Sequence, residues 1–270
     1  MMAPMTPRRV WITGASQGIG LACAKHFAQA GASIALCARR PSPLESAAEE
    51  LRTLGATKVV ATPADISSRG DVTRFVTEAL SGLGGCDVLV HNAGGGGPGG
   101  ILTGDDDAFE RDFQYAYDVN VMAAARLARG AADCLRESRG VLVLVSSAWR
   151  QRPSSEMPAS YGAAKAALDD LTATLAREFG PSGARVVGIA PGPIWTETWE
   201  AEVQREAESS GEPAATLRAS LVQEVGDTTA IRRPGRMAEV AQAIAWVSSS
   251  EASYVTGATL RVDGGFVAGT

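Results

Sequence analysis

No apolar run in this 270-residue chain approaches the roughly 18–20 residues that a helix needs to cross a bilayer. Residues 1–9 carry charge, but no hydrophobic core follows them beyond one short strand, so they do not read as a signal peptide. An excess of positive charge is also missing. With 25 Lys+Arg against 30 Asp+Glu, the net charge is −5 and no basic patch stands out, which argues against nucleic acid or an anionic membrane as partner. Cysteine is sparse: Cys23, Cys37, Cys86 and Cys134 show neither metal-ligand nor CxxC spacing. Each sits in an apolar run, as a small buried hydrophobe in a reducing cytoplasm does, so no metal site is expected. Repeats and linkers are absent as well. A hydrophobic content of 45% over 270 residues is enough for one sizeable core, and the chain reads as a single domain.

What is present begins with an apolar run at 10–13 that leads into Gly14-Ala15-Ser16-Gln17-Gly18-Ile19-Gly20, followed by a helical pattern over 21–30 that Gly31 ends. Strand, glycine-rich turn and helix form the context of a dinucleotide loop, where the backbone approaches a pyrophosphate seated on the helix N-terminus. The spacing is Gly-x3-Gly-x-Gly, not the commoner Gly-x-Gly-x2-Gly. A second strand covers 33–38. Where an acid would take a ribose 2′-hydroxyl, the chain has Ala38 followed by Arg39 and Arg40. A guanidinium forks onto a 2′-phosphate that a carboxylate would repel, so the expected cofactor is NADP(H).

A helix over 44–54 and a strand over 58–61 lead to Asp65 and Ile66, placed to meet an adenine amine and to pack on its ring. After a helix over 69–80, a fourth strand at 87–90 runs into His91, Asn92, Ala93 and Gly94, small residues that suit a backbone lying close to a ligand. His91 reads as a satisfied end-of-strand histidine, because no acid or nucleophile lies near it in sequence. Residues 94–100 form a glycine-rich loop at a pocket rim, and 105–132 one long helical stretch with Asn120 in its middle. The run 141–145 is wholly apolar, as a central parallel strand is, and ends in Ser146-Ser147. A helix reaching about 179 follows, then a strand at 185–189 closed by Pro191-Gly192. A charged, helix-prone stretch over about 193–232 reads as a lid, and a helix at 237–248 and a last strand at 260–262 complete the chain. This alternation gives an α/β fold: a doubly wound, seven-stranded parallel sheet with helices on both faces.

Tyr161-Gly162-Ala163-Ala164-Lys165 lies on the helix after the serines. Tyr161 and Lys165, four apart, share one helix face. An ammonium beside a phenol favours the phenolate and brings it towards proton transfer at neutral pH.

Together these residues resemble the short-chain dehydrogenase/reductase family, a Rossmann-type fold, in its single-domain soluble branch. The resemblance runs in order along nearly the whole chain. The 13–20 segment is similar to the family's cofactor loop, Asn92-Ala93-Gly94 to its sheet-stabilising motif, and 262–265 to its C-terminal strand. The resemblance implies that Asn120, Ser147, Tyr161 and Lys165 are the catalytic group. Ser147, second of its pair with Ser146, holds a carbonyl oxygen, and Tyr161 gives it a proton as hydride arrives. Lys165 lowers the phenol pKa and binds the ribose, and Asn120 extends a proton relay through its backbone. Gly14, Ser16, Gln17, Gly18, Ile19 and Gly20, with Pro191, Gly192, Ile194 and Thr196, are then cofactor contacts. Trp149, Met157, Trp195 and Trp199 are then either pocket residues for an apolar or ring-shaped ketone or, for the tryptophans, packing within the lid.

In two places the chain departs from the family pattern. The segment between Ser147 and Tyr161 is longer, and its Arg150 and Arg152 could greet an anionic group or stand exposed. Gln17 occupies a loop position that is often basic in NADP-preferring members, so cofactor preference rests on Arg39 with Arg40 in support. The implied activity is reduction of a small-molecule ketone, 3-oxoacyl or polyketide-like, by a homotetramer or homodimer. Oxidation of an alcohol or sugar by the same residues and a silent NADP-binding sensor are the alternatives.

Overall fold

The computed structural model describes residues 8–97, 106–153 and 157–268. Residues 98–100 of the expected glycine loop, Asp105 at the head of the expected long helix, and residues 1–7 lie outside the described residues. The first half of the chain comprises β1 (Arg9–Thr13), α1 (Gly18–Gln29), β2 (Ser33–Ala38), α2 (Pro41–Thr53), β3 (Lys58–Pro63), α3 (Arg69–Leu83) and β4 (Val88–His91). The second half continues with α4 (Asp106–Tyr117), α5 (Ala123–Gly130), α6 (Ala132–Ser138), β5 (Val141–Val145), α7 (Ala159–Phe179) and β6 (Arg185–Pro191). Then come β7 (Ile194–Trp195), α8 (Glu197–Ser210), α9 (Ala214–Thr228), β8 (Gly235–Arg236), α10 (Met237–Ser248) and β9 (Thr259–Val262).

Seven strands form one parallel sheet in the order β3-β2-β1-β4-β5-β6-β9, the expected doubly wound Rossmann-type arrangement. The pleat sends alternate residues of each strand to opposite faces. On β5, Val141, Val143 and Val145 join the core beneath α1, α2 and α10, packing with Phe27, Leu44, Leu51 and Ile244. Leu142 and Leu144 join the core beneath α3, α5 and α7, with Trp11, Phe75, Leu127 and Phe179. Both faces of the strand are covered, which is why its sequence is apolar without alternation.

The strand order reverses between β1 and β4, where Thr13 pairs with both Cys37 and His91. Chain segments leaving the two strands diverge there and leave a crevice at their carboxyl ends. At the turn after β1, close approach demands glycine at position 20. A Cβ there would stand 2.3 Å from Gly14 O and 2.5 Å from Asn92 Nδ2.

One helix differs from expectation. The stretch read as a single helix over 105–132 is broken by a π-helical turn, Asp118–Met122, between α4 and α5. Asn120 supplies the physical reason. Its side chain donates Nδ2–H to Ala116 O, 2.7 Å away and four residues back, and its own carbonyl is engaged by His91. A side chain inserted into the backbone ladder produces such a bulge.

Candidate active site

A crevice of about 600 Å³ opens at the reversal point. From the β1–α1 turn it is lined by Gly14, Ser16, Gln17, Gly18 and Ile19, and from the end of β2 by Arg39 and Arg40. Asp65 and Ile66 come from beyond β3, Asn92, Ala93 and Gly94 from beyond β4, and Thr196 from the residue before α8. Gly20, Pro191, Gly192 and Ile194 do not line it. Gly20 packs α1 on the sheet, Gly192 sits where a Cβ would be 2.7 Å from Asp263 Cα, and Ile194 lies against Gly235. Sequence spacing does not single out Cys37, Ala64, Tyr115, Val119 and Thr198, which also line the crevice. Only Tyr115 and Val119 carry a signal, their separation of four on a helix running into Asn120.

The amide end of α1 already behaves as an anion site. Its first turn has no acid of its own, and Gly18 N–H donates to Glu197 Oε2 at 3.1 Å. Arg40 donates to Gln17 Oε1 at 2.7 Å, whereas Arg39 makes no hydrogen bond or ion pair among the described residues. Asp65 accepts from Ser67 N–H and Ser67 Oγ through Oδ1.

Beyond Gly94 the crevice meets the ends of β4 and β5. Thr13 Oγ1 accepts from the amides of Asn92 (3.2 Å) and Ala93 (3.1 Å), which leaves its own proton for His91 Nδ1 at 3.1 Å. The ring hydrogen of His91 therefore sits on Nε2 and is donated to Asn120 O at 3.1 Å. Burial, and then the charge of Lys165, push the imidazole down to about 3. His91 is the satisfied end-of-strand histidine its sequence context suggested.

The two serines are separated by their partners. Ser146 Oγ donates to Lys165 O (3.1 Å), while the Ser147 hydroxyl hydrogen-bonds the Tyr161 phenol and accepts from Trp149 N–H at 3.3 Å. Lys165, 3% exposed, donates to Val145 O at 2.7 Å. Among the described residues Asn120 Oδ1 is buried without a partner. A Cβ built on Gly94 would fall 2.5 Å from that oxygen and 2.8 Å from Lys165 Nζ, so amide and amine face one small space.

One expectation is corrected here. Lys165 Nζ lies 5.6 Å from the Tyr161 ring centroid, and the phenol is raised, not lowered: burial dominates and the Ser147 hydrogen bond only partly opposes it. Burial brings Lys165 itself down to about 7, against the pull of Asp169, so its charge is held less firmly than that of an exposed lysine. The anionic role considered for the two arginines also fails. Arg150 is ion-paired with Asp169, and Arg152 donates to Thr228 O and Phe266 O beneath its stack on the Phe266 ring.

None of the four residues expected against substrate lines the crevice. Trp149 packs on Phe266 with ring centroids 4.7 Å apart, Trp195 and Trp199 meet edge to face at 5.9 Å, and Met157 is half-buried. Among the described residues no helix is long and apolar enough to cross a membrane, and no group of three or more His, Cys, Asp and Glu could hold a metal ion.

A family profile described as Enoyl-(Acyl carrier protein) reductase matches residues 14–267. Glucose 1-dehydrogenase of Gluconobacter oxydans (strain 621H) is 35% identical over 265 residues, which are 96% of this chain and 91% of that protein. The solved structure of L-sorbose reductase from Gluconobacter frateurii, complexed with NADPH and L-sorbose, is 32% identical with a TM-score of 0.90, covering 98% of each chain. That of a 7α-hydroxysteroid dehydrogenase with NADH and 7-oxo glycochenodeoxycholic acid is 31% identical with a TM-score of 0.79, over 95% of this chain and 92% of the other. With the profile running from the glycine-rich turn to beyond β9, and with identities above 30% over nearly the full length, the chain belongs to the short-chain dehydrogenase/reductase family of oxidoreductases.

Proposed function

We propose that the protein reduces the carbonyl of a small-molecule ketone with NADPH, Tyr161 acting as proton donor. The observation that carries this reading is the meeting of Ser147 and Tyr161 beside Lys165, with burial keeping the phenol in the protonated form that a proton donor needs. Ser147, whose hydroxyl reaches the phenol, orients the carbonyl oxygen between them.

The residues fit a nicotinamide dinucleotide. The α1 amide end accepts a carboxylate, and among the described residues Arg39 faces the crevice without a partner and the space over Gly94 holds an unmatched Asn120 Oδ1 beside Lys165 Nζ. Ser16, Gly18 and Ile19 would hold the pyrophosphate, Asp65 and Ile66 the adenine, and Arg39 with Arg40 a 2′-phosphate. Lys165 would hold the ribose, and Thr196 with the Pro191–Ile194 stretch the carboxamide end. When bound, that group supplies the hydride, and the chain supplies position and the proton. In its ammonium form Lys165 would attract the phenolate left after proton donation.

A second reading is oxidation of a sugar or polyol by the same residues. It draws on the similarity to a glucose dehydrogenase and a sorbose reductase. In either direction 193–232 acts as the lid of one domain working in a reducing cytoplasm, as a homotetramer or homodimer whose mass light scattering reports. The deciding assay is NADPH oxidation by wild type and Tyr161→Phe over L-sorbose, 3-oxoacyl thioesters, and 7-oxo-steroid and cyclic ketones. Turnover that collapses in the variant supports the reading. Turnover that survives in it removes Tyr161 from the chemistry.

A further inference from the structure

The 3₁₀ turn that follows Ser147, Ala148–Gln151, sends Arg150 inward, its side chain only 7% exposed. There the guanidinium pairs through Nη2 with Asp169 Oδ2, while its Nε is buried and, among the described residues, unmatched. Asp169 Oδ1 accepts from Thr259 Oγ1 of β9 at 3.1 Å. Asp169 is therefore pinned from two elements outside its own helix. On α7 it stands four residues beyond Lys165, which stands four beyond Tyr161, so the three share one face over two turns.

We infer that Asp169, held by Arg150 and Thr259 one turn below Lys165, is a positioning residue that favours the ammonium form of Lys165 against its burial. The groups interacting with Lys165 leave Asp169 that task. Tyr161 on α7 is held in its neutral acid form, and His91 on β4 is a buried neutral imidazole. Val145 O accepts one ammonium hydrogen but carries no charge. Burial disfavours the ammonium, and the Asp169 carboxylate is what opposes it. Arg150 is set back from the reacting groups. Its part is to fix the carboxylate and, through the same turn, to tie Ser147 to the helix that carries Tyr161.

The inference deepens the proposed chemistry and rests on it for turnover, but the charge of Lys165 can be read without turnover. The chain has three lysines, Lys25, Lys58 and Lys165, so ¹³C-lysine resonances can be followed one by one in a pH titration. In Asp169→Asn the Lys165 midpoint is expected to fall by about one pH unit, with the alkaline limb of kcat/KM moving down beside it. Asp169→Glu and Arg150→Lys are expected to keep the wild-type midpoint. The double variant Arg150→Met/Asp169→Asn removes both partners of the buried pair, and it serves if the single variant does not fold. Coincident Lys165 midpoints in wild type and in the folded Asn variants overturn the proposal, as does a rate loss that is uniform in pH. Absence of turnover in wild type strikes the proposed function alone, and the resonance titration still decides the role of Asp169.

Discussion

The two sides of the sheet's reversal point keep their polar groups in opposite conditions. On the β1–β2 side, Arg39 and Arg40 are exposed at the crevice edge, one without a partner among the described residues and the other on the Gln17 amide. On the β4–β5 side, Asn120, Ser147 and Lys165 are 0%, 4% and 3% exposed, and His91 behind them is wholly buried. Water screens charge on the first side, so changes there alter binding modestly and with salt dependence. On the second side low dielectric enlarges each interaction and moves protonation equilibria, which is where chemistry needs them moved. The proposed nucleotide-choice and proton-transfer groups thus sit in media of different polarity, at the ends of β2 and β5 with β1 and β4 between them.

If the contrast holds, the buried side gives the larger effects. Tyr161→Phe removes the proton donor and is expected to lower kcat by about 10²–10⁴-fold, with NADPH affinity from fluorescence titration little changed. An equal loss of both would mean that Tyr161 acts through binding.

The next effect is on stability. The His91 imidazole is depressed to about 3 in the fold, so between there and the unfolded value of 6.5 the unfolded chain takes up a proton that the native one refuses. Stability from this group is therefore complete above pH 6.5 and falls by about 1.4 kcal/mol per pH unit below it. Asparagine does not titrate and its Oδ1 can replace Nδ1 in accepting from Thr13, so His91→Asn should flatten the acid-side slope of urea midpoints between pH 6.5 and 4. Identical slopes for the two proteins would place the acid sensitivity elsewhere.

What the sequence could reveal divides along similar lines. Strand and helix order was legible because period and turn chemistry are local: the all-apolar 141–145 run could only be a strand covered on both faces. The glycine turn and the Arg39-Arg40 pair were legible for the same reason. The π-turn was not, because it depends on His91 and Gly95, 29 and 25 residues away, drawing on Asn120. Nor was the protonation of the Tyr161–Lys165 pair. Helical spacing gives proximity, but the outcome is set by burial under elements distant in sequence, and burial outweighs the attraction that spacing suggests. Arg150 was open to an anionic role for the same reason, since its partner Asp169 lies on the far side of the Tyr161 turn.

On the exposed side the expected effects are smaller. Arg39→Ala should weaken NADPH about tenfold, as loss of one solvent-exposed charged hydrogen-bonding partner does, and should leave NADH unchanged. Equal losses for both nucleotides would contradict a 2′-phosphate contact. Raising salt should narrow the NADPH–NADH gap in wild type and leave it narrow in the variant.

Glu197 gives the smallest effect and tests the exposed side most directly. Its carboxylate takes the Gly18 amide at the head of α1, the dipole end that a pyrophosphate would need, so the two compete for one donor and repel each other. Being exposed, Glu197 can swing away at little cost, and Glu197→Gln should tighten NADPH only about two- to fivefold, from the fraction of a kcal/mol that a screened terminal charge contributes. Because the competition is electrostatic, the gain should shrink as salt rises, whereas the Tyr161→Phe loss, set in a dry site, should not. A gain from Glu197→Gln that survives high salt would mean that the glutamate obstructs by bulk, and the division between a screened nucleotide half and an unscreened chemical half would then fail at its exposed edge.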